Sequence, residues 1–144
     1  IPGALPPVAA MFMAELKNGI LTAGHDLDAV CFSVRSMVSD GTEGYTTLDS
    51  KAVTCVAGDF LIADQAGILS SMLRGPDRRT AISRETKRFL YTAYAPDGVP
   101  EESLVRHLSD IEAFLRPDAR DLPCFQKIVR VEASTTSLLD AGES

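Results

Sequence analysis

Two short stretches concentrate the side chains that could do chemistry. Thr22-Ala23-Gly24-His25-Asp26-Leu27-Asp28 sets an imidazole beside two carboxylates. A histidine titrates near neutral pH and a carboxylate fixes its tautomer, so His25 with Asp26 or Asp28 has the makings of a general base and its orienting acid. The same residues suit a structural turn, because aspartates cap turns through nearby backbone amides and sequence neighbours point apart. The second stretch runs from Ser70-Ser71 through Arg74-Gly75-Pro76-Asp77-Arg78-Arg79-Thr80. Three guanidinium groups can grip a phosphate or carboxylate in pairs of hydrogen bonds, while Gly75 admits close approach of the backbone. The alternative is a solvated loop in which Asp77 pairs with one arginine, worth at most about 1 kcal/mol.

Other chemistries find less footing. Ser70 and Ser71 are not in a G-x-S-x-G elbow, and the chain has no P-loop, G-x-G-x-x-G, H-E-x-x-H or EF-hand pattern. His107 lies beside Leu108 in a helical pattern and reads as a surface residue rather than a metal ligand. Cys31, Cys55 and Cys124 are odd in number with no C-x-x-C spacing, which argues against a disulfide framework or structural zinc and reads as buried thiols in a reducing compartment. No metal and no cofactor is expected.

The elements that must position these residues follow from apolar periodicity. Residues 6–17 predict a helix, with Val8, Met11, Phe12 and Leu16 at helical spacing and Asn18-Gly19 as its stop. Residues 20–28 predict a short strand entering a loop. Over 29–37, Val30, Phe32 and Val34 alternate with Cys31, Ser33 and Arg35 in a half-buried strand. Two short strands, 45–48 and 52–56, follow the turn cluster 39–44. The uninterrupted apolar run 60–63 predicts a central strand with 67–73 as its neighbour. A further strand is expected within 88–95. Residues 100–115 predict a surface helix lying on a sheet, with Leu104, Leu108, Ile111 and Leu115 in one stripe behind Pro100 and two glutamates. Residues 125–131 read as a last strand, and 132–144 as a flexible tail without apolar periodicity. One domain over 1–131 is expected, since 144 residues with 45% apolar content fit a single core.

Fourteen basic against twenty acidic residues leave a net charge of −6, which opposes general attraction to phosphate backbones but permits a local arginine cluster. No apolar run reaches the roughly 18 residues that span a bilayer, and the N-terminus lacks a basic start and cleavage site. A soluble, cytoplasmic protein with no membrane association is expected; the sequence does not fix its oligomeric state.

The order of certain segments carries a resemblance: Gly19 to Asp26-Leu27-Asp28, Phe32-Ser33-Val34-Arg35, Tyr45-Thr46-Thr47-Leu48-Asp49, Gly58-Asp59-Phe60-Leu61-Ile62-Ala63-Asp64, and Ser83-Arg84-Glu85-Thr86. This pattern, over roughly 11–95, resembles the B3/B4 module of bacterial phenylalanyl-tRNA synthetase β subunits. It resembles still more the free-standing B3/B4-domain proteins, in which a loop like 75–80 also occurs. The resemblance implies an α/β (α+β) fold of the PheT/TilS-like type, with a β-sandwich-like core of mixed strands flanked by helices. It further implies hydrolysis of an amino acid wrongly esterified to tRNA, with tRNA or aminoacyl-tRNA as partner. Where the family has a histidine three residues before the Asp of its F-D-x-D-like segment, this chain has Ala23, with its own histidine at His25. For the editing glutamate, the longer loop offers Pro76 or Asp77. On this reading His25, Asp26 and Asp77 position water, and Arg74, Arg78 and Arg79 lie near tRNA phosphates. Thr22, Asp28, Ser70, Ser71 and Thr80 complete the substrate-binding set. The alternative on the same fold is a non-catalytic domain that binds an amino acid or another small anionic metabolite, with the arginines as clamps.

Overall fold

A computed structural model describes residues 3–118, 121, 123–131 and 135–143. Helix α1 (Pro6–Asn18) opens on two prolines, whose fixed φ suits a first turn that has no intrahelical partner for its amides. It ends at Gly19, whose φ of 68° satisfies the left-handed stop, and the Gly19 amide bonds the Glu15 carbonyl. Strand β1 (Thr22–Asp26) leaves this cap and pairs antiparallel with β8 (Phe89–Ala93), His25 opposite Leu90 and Ala23 opposite Thr92.

The main sheet runs in the order β7 (Gly75–Pro76), β6 (Ile68–Ser71), β5 (Phe60–Ala63), β2 (Val34–Val38), β9 (Thr136–Leu139). Every pairing among the described residues is antiparallel. The strands expected from 60–63 and 67–73 occupy its centre, and the apolar run of β5 is covered on both faces. One face, with Val34, Ile62 and Leu69, packs against Ala23 of β1 and Tyr94, the residue after β8, giving two layers around a common core. The other face gathers Leu61, Ala63, Ile68 and Cys55, with Met37 and Tyr45 partly buried against it. A small hairpin of β3 (Gly44–Thr46) and β4 (Ala52–Thr54) stands beside the sheet. The fold is α+β, a layered antiparallel core with two helices, α1 and α2 (Glu101–Leu115).

Several expectations are corrected. Residues 123–131 form no strand. The edge of β2 is taken instead by β9, inside the stretch read as a tail, because Leu138 and Leu139 reach the core whereas Phe125 and Ile128 stay exposed. A two-leucine contact is too short to register as periodicity. Residues 132–134 and 144 of that stretch lie outside the described residues. Cys31 and Cys124 are exposed, and only Cys55 is a buried thiol, its pKa raised by that burial. His107 is not on the surface: it is fully enclosed between α2 and the α1–β1 corner. It sits four residues before Ile111 and three after Leu104, within the apolar arc, which is wider than the four residues first read as its stripe. Among the described residues no helix is long and apolar enough to cross a membrane.

Candidate functional site

Strand alternation separates His25 from Asp26. On β1, Ala23 and His25 face the main sheet, and Asp26 turns the other way. Asp26 accepts from the Asp28 amide at 3.0 Å and from the Thr86 hydroxyl at 3.1 Å, so it caps the short 3₁₀ turn that follows β1. Asp28 is exposed and pairs with Arg88 at 2.9 Å. Neither carboxylate touches His25. The turn reading of this segment describes Asp26, whereas the Asp28 carboxylate pairs with Arg88 instead of capping.

A different carboxylate reaches the imidazole. The 75–80 loop is stitched in place from three sides: the Asp77 amide bonds the Leu69 carbonyl, the Arg78 amide bonds Thr46, and the Asp26 amide bonds the Thr80 carbonyl, each at 2.8 to 2.9 Å. Gly75 makes the turn possible with a φ of 88°. Asp77 and Thr80 are thereby buried next to His25, itself 0% exposed. The Thr80 hydroxyl donates to Asp77 Oδ1, and His25 Nδ1 lies 2.8 Å from the same hydroxyl oxygen and 3.7 Å from Asp77 Oδ1. With its proton committed to Asp77, Thr80 Oγ1 accepts from His25, which fixes the Nδ1–H tautomer. The other ring nitrogen, Nε2, is buried and has no hydrogen-bond partner among the described residues. An aspartate, a threonine and a histidine therefore form a hydrogen-bonded chain that ends in a ring nitrogen with no partner among the described residues.

The remaining expected residues do not converge on it. Arg79 ties the loop down: its guanidinium donates to Asp64 at 2.8 Å and to the Ala29 carbonyl at 3.2 Å, and approaches Asp77 at 3.7 Å. Asp64 in turn accepts the amides of Cys31, Ala66 and Gly67 at 2.8 to 3.0 Å, so this ion pair is part of the scaffold. Arg78 donates to Ser50 at the hairpin tip, and Arg74 is exposed. The Ser71 hydroxyl donates to Asp59, and Ser70 shares a hydrogen bond with the Tyr94 hydroxyl, whose pKa burial pushes well up. Thr22 serves the other histidine, its hydroxyl 2.6 Å from His107 Nε2. Among the described residues no group of three or more His, Cys, Asp or Glu side chains is placed to hold a metal ion.

The resemblance put His25 and Asp77 in one set, but the sequence did not reveal that Thr80 bridges them, because the contact spans more than fifty residues and depends on a loop pinned from three strands. Sequence reading also missed Thr92 and Tyr94, which join His25 on the inward face. Their alternation with Leu90 was the available signal.

No protein-family model and no curated protein matches the chain. A solved structure does: an N-terminal fragment of the phenylalanyl-tRNA synthetase β subunit from Pyrococcus horikoshii, with a TM-score of 0.63 over 76% of this chain at 15% identity. The chain spans 38% of that fragment's length. At this identity the likeness is one of fold: the two share the phenylalanyl-tRNA synthetase β-like architecture.

Proposed function

We propose that this chain is a B3/B4-type domain that hydrolyses the ester of misacylated tRNA, with His25 as general base oriented through Thr80 by Asp77. The bare Nε2 of an otherwise fixed imidazole carries this reading, since a base needs a free lone pair held in one orientation. A water accepted there would be positioned to attack an aminoacyl carbonyl. The exposed Arg74 and Arg78, near the same loop, would face the tRNA phosphates, while Asp26, Asp28 and Arg79 hold the scaffold. The fold shared with a synthetase β-subunit fragment supports the substrate class. The test is a panel of correctly and wrongly charged tRNAs incubated with the protein. Ester loss above the buffer rate for a mischarged species, abolished in His25→Gln, is expected; survival of every ester at its buffer lifetime overturns the proposal.

One observation favours a second reading, a non-catalytic binder of an amino acid or small anion. His25 is wholly enclosed, so water and substrate reach it only if the layers part. If the esters survive but one amino acid stabilises the protein by roughly 2.7 kcal/mol at a hundred times its dissociation constant, this second reading replaces the first.

A further inference from the structure

Two enclosed carboxylates, Asp64 and Asp77, face one guanidinium, that of Arg79. Its hold on them is unequal. Nη2 donates to Asp64 Oδ1 at 2.8 Å, whereas Nε stands 3.7 Å from Asp77 Oδ2, an ion pair beyond hydrogen-bond reach. Asp64 does not depend on Arg79 for its place, because the amides of Cys31, Ala66 and Gly67 also fix its oxygens. Nη1 donates to the Ala29 carbonyl at 3.2 Å, at the end of the 3₁₀ turn after β1. The planar fork is therefore secured at Asp64 and Ala29, and its third side is turned to Asp77.

The side of Asp77 that Arg79 faces is the one turned away from Thr80. Asp77 Oδ1 accepts from the Thr80 hydroxyl, Oδ2 faces Arg79, and among the described residues no other Lys or Arg pairs with Asp77. The outer torsion of an aspartate is broad and soft, so a charge held at Oδ2 restrains which oxygen meets Thr80. The inequality of the two distances then matters. Coulomb attraction falls with separation, so the charge of Arg79 is matched mainly by Asp64, and that of Asp77 remains to bear on the imidazole 3.7 Å from Oδ1. Without this restraint Asp77 can release the Thr80 hydroxyl, which then donates to His25 Nδ1 and moves the ring proton to Nε2.

We propose that Arg79, anchored on Asp64, is a positioning residue for the Asp77–Thr80–His25 chain, the relay of the proposed hydrolysis: it keeps Asp77 Oδ1 on Thr80 and so sets the tautomer of His25. Only the kinetic consequence rests on the hydrolytic reading; the tautomer is read without substrate, from the ring-nitrogen chemical shifts of His25 by NMR, with His107 as internal control. Wild type is expected to carry its proton on Nδ1. Arg79→Ala moves the proton toward Nε2 and leaves His107 unchanged, and because Arg79 is partly exposed, added methylguanidinium restores the wild-type shifts. Arg79→Lys keeps a cation on Asp64 but lacks the fork, so it shows the same change and decides the matter even if Arg79→Ala unfolds. On a mischarged tRNA both variants lower kcat by roughly tenfold or more with KM unchanged, since a misplaced catalytic group costs up to about 10²-fold. Wild-type shifts in the variants overturn the proposal, whatever their rates. A wild type inert toward every ester ends the hydrolytic reading while the spectra still decide the role of Arg79, and a wild type protonated at Nε2 overturns both.

Discussion

The protein encloses two histidines completely, and their surroundings differ in one respect. At His107 both ring nitrogens are satisfied. Thr22 Oγ1 donates to the Ile20 carbonyl and so accepts from Nε2–H at 2.6 Å, while the Asn18 amide donates to Nδ1 at 3.2 Å. Burial lowers its pKa below 6.5, against a smaller raising influence from Asp110. At His25, among the described residues, Nδ1 is engaged through Thr80 and Nε2 has no partner. A core imidazole with every valence filled is a cross-brace between α1 and α2. One with an empty valence carries an energetic cost that packing alone does not explain, because buried polar atoms are almost always paired. The two sites therefore predict opposite responses to mutation.

The largest effect is expected at the relay. On the proposed function, His25→Gln lowers ester hydrolysis by 10²-fold or more, within the range for loss of a general base, and Thr80→Val produces a loss of similar order because it unlocks the tautomer. Single-turnover rates on a mischarged tRNA check this. A His25→Gln variant with full activity would end the comparison, since both histidines would then be structural. Next comes His107→Leu, which leaves Thr22 and Asn18 short of a partner in the core. A loss of about 2–3 kcal/mol in urea unfolding is expected, with hydrolysis per folded molecule unchanged. If His107→Leu instead removed activity while leaving stability intact, the roles assigned to the two sites would be exchanged.

The elements were more legible than the contacts. Strand β5 appears at 60–63 as its apolar run requires, and the helix over 100–115 forms behind Pro100, because periodicity and caps are local properties of the chain. The candidate site was legible in part: His25 and the 74–80 loop stood out by composition, but the sequence paired His25 with its neighbours Asp26 and Asp28. Alternation along β1 forbids that pairing. The carboxylate that does reach the imidazole arrives through tertiary hydrogen bonds from Leu69, Thr46 and Asp26, which leave no mark on local sequence. The arginines misled for a related reason. Arg79 looked available for a ligand because its partner Asp64 lies 15 residues earlier, in the β5–β6 turn.

A smaller effect separates the two histidines by pH. Because burial lowers the pKa of folded His107, the unfolded chain binds its proton more tightly. The contribution of neutral His107 is therefore fully present above the ordinary value of 6.5 and declines as the pH falls below it, toward the lowered folded value. Unfolding free energies of wild type and His107→Leu, measured from pH 7.5 down to 5, should converge with acidification. Comparing the two proteins cancels the common contribution of other acids, including Glu15, whose pKa burial raises. A constant gap across that range would mean that folding leaves the proton affinity of His107 unchanged, and a gap that widens with acidification would mean that His107 is held charged.

The smallest expected effect lies at the rim of the same brace. Lys17 meets Asp110 at 3.0 Å, and Asp110 also accepts from Asn18, the residue that donates to His107. Asn18 and Lys17 together hold the Asp110 carboxyl below its ordinary range. Lys17 is 54% exposed, so water screens the pair and Lys17→Met should cost at most about 1 kcal/mol, diminishing further in high salt. Asn18→Ala, which breaks both the Asp110 and the His107 contacts, should cost more. A double-mutant cycle between Asn18→Ala and His107→Leu then measures how much of the brace is shared: a coupling energy of 0.5 kcal/mol or more is expected for residues in one hydrogen-bond network, and strict additivity would show that His107 does not depend on Asn18.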